Sequence, residues 1–202
     1  MTRRDKAAGP ASGDGPIRIL VSACLLGERV RYDGGHKRDD FIADTLGRLV
    51  ECVPVCPEVE CGLPTPREAM RLAGDVASPC LVTVSTCADH TARMVAWAHG
   101  KLRELERLEL SGYICKEGSP SCGLDGVEVS GGAGAPVKTC PGVFTGLFLE
   151  RFPLLPVVDE DRLKDPAPRD RFLETVLGRR RSGLTGKAPG SASPGRRARS
   201  RS

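Results

Sequence analysis

The sequence has no long apolar run and no apolar segment near its start. None of its 202 residues falls in a stretch approaching the roughly 18 apolar residues that a membrane-spanning helix needs. Residues 1–15 are polar and rich in Gly and Ala, and they lack the apolar centre of a secretory signal. We therefore expect a protein without a membrane partner that resides in the cytoplasm.

The nine cysteines show neither the pattern of a disulfide framework nor that of a zinc knuckle. Their number is odd, and the spacings from Cys52 to Cys56 and from Cys56 to Cys61 are wider than the common CxxC pair. The three histidines have no metal-ligand spacing either. In a reducing compartment, clustered thiols more often bind metals or carry out chemistry than form disulfides. The sequence thus indicates reduced cysteines with a chemical role.

The positive charge is concentrated at the C-terminal end. Residues 179–202 contain eight Lys or Arg and no acid, which leaves 22 bases against 26 acids in residues 1–178. We predict a disordered tail over 1–15, one domain over 16–178 and a disordered basic tail over 179–202. The basic tail has the composition to hold RNA phosphates, and a solvated extension without a partner is the alternative.

Apolar runs alternate with helical patterns along the predicted domain. Strands are predicted over 16–21, 50–56, 112–115 and 154–158, and helices over 39–50, 89–110, 142–152 and 170–177. Residues 81–84 fit a strand or an extended flap, and the glycine-rich segment 123–142 is predicted to be a long loop. The alternation predicts a single α/β domain of Rossmann-like type, with a mainly parallel sheet and helices on both faces.

Three of the cysteines follow predicted strands. Cys24 lies three residues after the first strand, Cys56 closes the second, and Cys122 lies in the loop after the strand at 112–115. Since ligands bind at the carboxyl ends of strands in such sheets, we expect the three thiols to share one edge. Buried cysteines can also act as small hydrophobes. Their Gly, Pro, Ser and Glu neighbours favour a site, and Glu58 supplies a carboxylate beside it.

Three thiols from separate loops form a soft ligand set suited to zinc or to an iron–sulfur cluster. Three ligands leave an open coordination position, which is the condition for Lewis-acid chemistry on a substrate. The residues alone leave three classes of function open. These are a cluster-dependent enzyme, a zinc-dependent or thiol-dependent enzyme, and an RNA-binding module that uses the Arg-rich tail.

Three motifs, taken in their order along the chain, resemble those of the bacterial thiouracil desulfidase family. They are SACLLG at 22–27 with RYDGG at 31–35, CPE at 56–58 with GLPTPR at 62–67, and SPSCG at 119–123. The resemblance covers about residues 17–160. It implies an enzyme that converts a thiolated pyrimidine such as 2-thiouracil to uracil and sulfide without net redox change. It also implies a 4Fe-4S cluster whose fourth iron is free to bind the sulfur.

Carried over to this chain, the resemblance makes Cys24, Cys56 and Cys122 the cluster ligands and Glu58 the acid–base residue. Cys61 stands where a small residue is more usual, so it is a candidate substitute for Cys56 or a fourth ligand. Ser119 and Ser121 are candidate donors to the substrate or to cluster sulfur, or simply turn residues.

Overall fold

The computed structural model describes residues 15–131 and 138–182. Within those ranges the chain forms strands and α-helices joined by short 3-10 turns. In chain order they are β1 (Arg18–Ser22), β2 (Glu51–Val55), α1 (Pro57–Glu60), β3 (Met70–Asp75), β4 (Ser78–Thr83), α2 (Thr91–Leu105), β5 (Leu110–Cys115), β6 (Val127–Ser130), β7 (Lys138–Cys140), α3 (Val143–Arg151), β8 (Val157–Asp159) and α4 (Pro166–Ser182).

The main sheet is parallel throughout and has the strand order β2-β1-β5-β8. From β1 the chain passes to β2, which lies on one side of β1, and it later returns to the sheet as β5 on the other side of β1. The carboxyl ends of β1 and β5 therefore meet at a topological switch point, where α/β sheets open a crevice for ligands. This sheet confirms the predicted α/β fold class.

Helical segments cover both faces of the main sheet. Along β1, Ile19 and Val21 pack on the side of the turns at 41–48 and helix α4. Leu20 points to the opposite side, where helices α2 and α3 lie. This alternation follows from the two-residue period of a strand. Because both sides are apolar, β1 is buried along almost its whole length and holds the switch point rigidly.

A second, mixed sheet was not expected. It has the order β4-β3-β6-β7, and β3 pairs antiparallel with β4 and parallel with β6. The prediction of a long loop over 123–142 is wrong for the described part, because β6 and β7 lie in that segment. Strand β6 does alternate buried and exposed residues. It has only four residues between glycines, so the pattern is too short to stand out.

The segment predicted as a helix over 39–50 is irregular. It consists of a π turn at Phe41–Thr45 followed by a 3-10 turn at Leu46–Arg48. Ile42 and Leu46 are buried, whereas Leu49 is exposed because the 3-10 turn rotates it away from the core. The chain therefore crosses from β1 to β2 without a regular helix.

The predicted tails lie almost entirely outside the described residues. Helix α4 continues to Ser182, so its last four residues fall in the range predicted as the basic tail. The part of that tail beyond residue 182 is not described, and its proposed RNA contact stays a prediction. Neither of the two described ranges, 15–131 and 138–182, contains a helix long and apolar enough to cross a membrane.

Candidate active site

The three cysteines predicted to meet line one cavity at the switch point. Cys24 sits in the 3-10 turn that follows β1, and Cys56 is the residue between β2 and α1. Cys122 lies in the loop after β5. The cavity has a volume of about 460 Å³, and all three residues line it. The parallel sheet thus brings together thiols that are 98 positions apart in the sequence.

Burial makes these thiols hard to ionise on their own. It raises the pKa of Cys24 to about 11, and the nearby Cys56 adds to this effect. It also raises the pKa of Cys56. The pKa of Cys122 is raised most, first by burial and then by the charges of Cys56 and Glu58. The thiols are close enough to influence one another, and their thiolate forms need a compensating cation.

Hydroxyl groups approach Cys122 from the sheet side. A hydrogen bond from Ser22 counteracts part of the rise in the pKa of Cys122, and the Ser22 hydroxyl also accepts the backbone N–H of Lys116 at 3.0 Å. The phenol of Tyr113 is fully buried nearby, and its oxygen has no well-formed hydrogen bond among the described residues. The surroundings of Cys122 on the sheet side are therefore partly polar, although the residue itself is buried.

Glu58 lies in the first turn of α1, two residues after Cys56, and faces the same cavity. Ser121 donates to its Oε1 at 2.5 Å. Arg67 donates to its Oε2 through Nε at 2.7 Å and through a second, shorter contact of its Nη2. The side chains of Glu58 and Arg67 are only 13% and 6% exposed. The carboxylate is therefore held at both oxygens and its charge is balanced inside the protein.

Arg67 was given no role in the sequence analysis, although it belongs to the GLPTPR motif. Besides Glu58, its guanidinium donates to the carbonyls of Val30 at 2.9 Å and Pro64 at 3.2 Å. Its backbone N–H donates to the carbonyl of Tyr32 at 2.8 Å. Arg67 thus ties α1 to the loop after Cys24. The GLPTPR motif is the sequence signal that points to Arg67. Its pairing with Glu58 could not be predicted locally, because the two residues are nine positions apart.

Ser119 and Ser121 lie in the cavity wall, and their role as donors to the substrate or to cluster sulfur stays a prediction. The hydroxyl of Ser119 accepts the backbone N–H of Cys122 at 3.1 Å and lies 3.2 Å from the hydroxyl of Ser121. Ser121 in turn contacts Glu58, as described above. Ser119 therefore shapes the loop around Cys122, and Ser121 connects that loop to the carboxylate.

The N-terminus of α3 supports the loop of Cys122 from behind. The backbone N–H groups of Val143 and Phe144 donate to the carbonyls of Pro120 and Ser121, both at 3.0 Å. A Cβ atom on Gly142 would lie 2.6 Å from the carbonyl carbon of Ser121. Only glycine allows this close approach of two backbones. The position of Cys122 therefore depends on a segment 20 residues further along the chain.

Cys61 does not line the cavity. Its thiol donates to the backbone carbonyl of Glu58 at 3.2 Å, and its side chain packs against the core beneath the second sheet. The remaining cysteines outside the cavity are Cys52, Cys80, Cys87, Cys115 and Cys140. Among the described residues, no three His, Cys, Asp or Glu side chains are grouped tightly enough to hold a single metal ion. The cavity thus contains three of the nine thiols.

Lys116 also lines the cavity, but its ammonium group is occupied. It forms a short ion pair with Glu160, and it donates to the carbonyl of Glu117 at 3.0 Å. Tyr32 also contributes to the cavity wall. The charge of the Lys116 ammonium group is thus balanced by a carboxylate of the chain.

The fold and cavity define an α/β protein with a cysteine-lined site at the switch point of a parallel sheet. A model of the 2-thiouracil desulfurase family matches residues 19–160, which include every residue described above as lining this site. The chain belongs to this family. The family and enzyme class predicted from the motifs are thereby confirmed.

Two known proteins are similar to this chain. The chain is 33% identical over 110 residues to the uncharacterized protein YbbK of Bacillus subtilis (strain 168), covering 52% of this chain and 72% of YbbK. It is similar in structure to the 4Fe-4S-dependent thiouracil desulfidase TudS, with a TM-score of 0.59 and 34% identity. That match covers 77% of this chain and 98% of the TudS chain.

Proposed function

We propose that the protein removes the sulfur of a thiouracil-type pyrimidine and replaces it with oxygen from water, giving uracil and sulfide. Membership in the desulfurase family and the similarity to TudS support the substrate class. The observation that carries the proposal is the convergence of Cys24, Cys56, Cys122 and Glu58 on one cavity. Its volume of about 460 Å³ lies within the usual range for small-molecule sites.

The donor set fits a 4Fe-4S cluster held by Cys24, Cys56 and Cys122. Three buried thiols are soft ligands, and a bound cation would offset the burial that raises their pKa. No other cysteine among the described residues lines the cavity, so one iron would have no thiolate from the chain. When bound, such a cluster supplies a soft Lewis acid for the thiocarbonyl sulfur.

Glu58 would act as the base in this reaction. Its carboxylate takes a proton from the water that attacks the ring carbon, and the hydrogen bonds of Ser121 and Arg67 fix its orientation. The C=S bond breaks, a C=O bond forms, and the two protons of water leave with the sulfide. The oxidation state of the ring carbon does not change, so the reaction needs no electron donor or acceptor.

A mechanism that relies on a free thiol nucleophile is less well supported. A nucleophilic cysteine is activated by a lowered pKa, whereas burial raises the pKa of Cys24 to about 11. At neutral pH nearly all of this thiol is protonated in the absence of a metal. The zinc-dependent alternative is distinguished by metal analysis, since zinc gives no visible absorption.

The experiment that tests the proposal uses the full chain, purified and reconstituted without oxygen. We expect about four iron and four sulfide per chain, as a single 4Fe-4S cluster requires, together with release of sulfide and uracil from 2-thiouracil. Turnover in 18O-labelled water should place the label in uracil. A protein that binds one zinc, or that releases no sulfide while fully loaded with iron, would contradict the proposal.

A truncation separates this enzyme from an RNA-binding module. Because α4 extends to Ser182, the chain is cut after that residue, which removes the basic segment that follows it. An enzyme acting on the free base should keep its turnover of 2-thiouracil. Loss of all activity on the free base after this cut would show that the basic tail is part of the site.

A further inference from the structure

Four cationic side chains line the cavity, and they differ in how far their donors are occupied. They are Arg31, Lys37, Arg67 and Lys116. Arg67 is bound to Glu58 and to two backbone carbonyls, and Lys116 is bound to Glu160 and Glu117. Lys37 is exposed to solvent. Among the described residues, Arg31 is the cavity-lining cation with a buried donor atom that has no hydrogen-bond partner.

The Nε atom of Arg31 is buried and has no hydrogen-bond partner among the described residues. Its Nη2 has only a long contact of 3.4 Å with Asp33, and its guanidinium carbon lies 5.3 Å from the centre of the Tyr32 ring. The side chain as a whole is 19% exposed. A buried N–H without an acceptor is costly, so the position favours a ligand that supplies one.

The backbone around Arg31 is fixed on both sides, so the side chain cannot easily withdraw from the cavity. Arg67 holds the carbonyl of Val30 at 2.9 Å and that of Tyr32 at 2.8 Å. Further along the same loop, Lys37 donates its backbone N–H to the carbonyl of Cys24 at 2.9 Å. Arg31 and Cys24 both line this cavity. Arg31 is therefore presented to whatever binds beside Cys24.

We propose that Arg31 is a ligand-binding residue whose Nε–H donates to a negatively polarised acceptor held in the cavity. The inference rests on the function proposed above, and two acceptors share this chemistry. One is a ring carbonyl oxygen of the pyrimidine, in which case Arg31 selects substrates that carry oxygen as well as sulfur. The other is a sulfide of the cluster, in which case Arg31 stabilises the loaded protein.

The test compares Arg31→Gln with Arg29→Gln, an exposed arginine two positions earlier that does not line the cavity. Three quantities are measured on anaerobically reconstituted protein: iron and sulfide per chain, the Kd of uracil by calorimetry, and kcat and KM for 2-thiouracil. If the acceptor is a ring oxygen, Arg31→Gln weakens uracil binding and raises KM by about tenfold or more, and iron content is kept. If it is a cluster sulfide, iron content falls and uracil affinity per loaded chain is kept.

One further variant separates a directed hydrogen bond from a general effect of charge. Arg31→Lys keeps the charge but not the Nε–H, so it should stay impaired. Arg29→Gln removes an exposed charge outside the cavity and should change each quantity less than threefold, because solvent screens it. Full recovery by Arg31→Lys, or an equal loss in Arg29→Gln, would overturn the assignment of the donor.

The outcomes for Arg31 and for the proposed function are distinguishable. If the wild type loads iron and releases sulfide while Arg31→Gln matches Arg29→Gln in every quantity, the Arg31 assignment fails and the proposed function stands. If the wild type takes up no iron and releases no sulfide, the proposed function fails and the assignment falls with it. Thermal unfolding of both Gln variants confirms that they are folded, and Arg31→Lys serves as the test if Arg31→Gln is not.

Discussion

The cavity has two sides that are built in opposite ways. We call Cys24, Cys56 and Cys122 the thiol side. Its polar contacts are weak, and the Cys56 thiol lies 3.8 Å from the carbonyl of Val30. Hydrogen bonds from the backbone N–H of Val59 to Cys56 and from Ser22 to Cys122 offset only part of the effect of burial on the pKa values. Burial raises the pKa of all three thiols. The thiol side therefore needs a cation from outside the chain before it can ionise.

The acid side consists of Glu58, Arg67 and Ser121, and it is complete within the chain. Each carboxylate oxygen has its own donor, and the opposing charge is built in. These contacts need no group from outside the chain. Under the proposed function, cofactor binding and proton transfer fall to separate residues, so single substitutions should separate them.

The largest expected effect comes from removing a thiol. Cys122→Ala should lose both the iron and the release of sulfide, because two remaining thiolates cannot hold a cluster that needs three. Iron analysis and the visible spectrum of the reconstituted protein measure this loss. The control is Cys52→Ala, which removes a half-buried thiol of β2 outside the cavity and should keep both.

Glu58→Gln should affect catalysis and spare the cofactor. We expect kcat to fall by about 10²- to 10⁴-fold, the usual range for loss of a general base, at unchanged iron content. Steady-state release of sulfide from 2-thiouracil measures the effect, and Glu51→Gln on the exposed part of β2 is the control. Retention of full activity in Glu58→Gln would assign the base to another group.

Arg67→Met should reveal the cost of an unbalanced charge. It leaves the Glu58 carboxylate buried without its partner, which should lower the free energy of unfolding by about 3 kcal/mol. Urea unfolding of the metal-free protein measures this. The double variant Glu58→Gln/Arg67→Met should recover most of the loss, because no buried charge is left. Equal losses of unfolding free energy in the single and double variants would show that Arg67 stabilises the fold through its hydrogen bonds to backbone carbonyls instead.

Gly142→Ala tests whether the thiol side depends on its backbone support. The new methyl group would lie 2.8 Å from the backbone nitrogen of Cys122 and must displace that loop. We expect a loss of about 1–3 kcal/mol in stability and weaker retention of iron during chelator challenge. Gly146→Ala in α3 is the matched control. A Cβ there meets no atom within 4 Å, so the change should be neutral or stabilising.

The smallest effect is expected from Cys61→Ala. This thiol lies outside the cavity and contacts a backbone carbonyl. Iron content and turnover should not change, and stability should fall by about 1 kcal/mol or less. A loss of iron in this variant would make Cys61 a ligand and would end the proposal that the chain supplies three thiolates.

Local patterns predicted much of the main sheet. The apolar runs of β1, β2 and β5 and the helical period of α2 are properties of short segments, and the structure has these elements near their expected places. Strands β3 and β6 are a different case. They pair across more than 50 residues, and neither has a run long enough to be recognised alone. The pairing of the second sheet was therefore visible only in the structure, although β4 overlaps residues 81–84, which the sequence fitted to a strand or an extended flap.

The amino-acid sequence by itself predicted which groups would carry chemistry, because Cys24, Cys56 and Cys122 each follow an apolar strand and Glu58 lies two residues after Cys56. The tertiary structure alone decided that these groups share one cavity, that Arg67 balances Glu58, and that Cys61 lies outside. The reason is physical. The order β2-β1-β5 brings distant strand ends to one edge, and such long-range pairing depends on the packing of both sheet faces rather than on any local spacing.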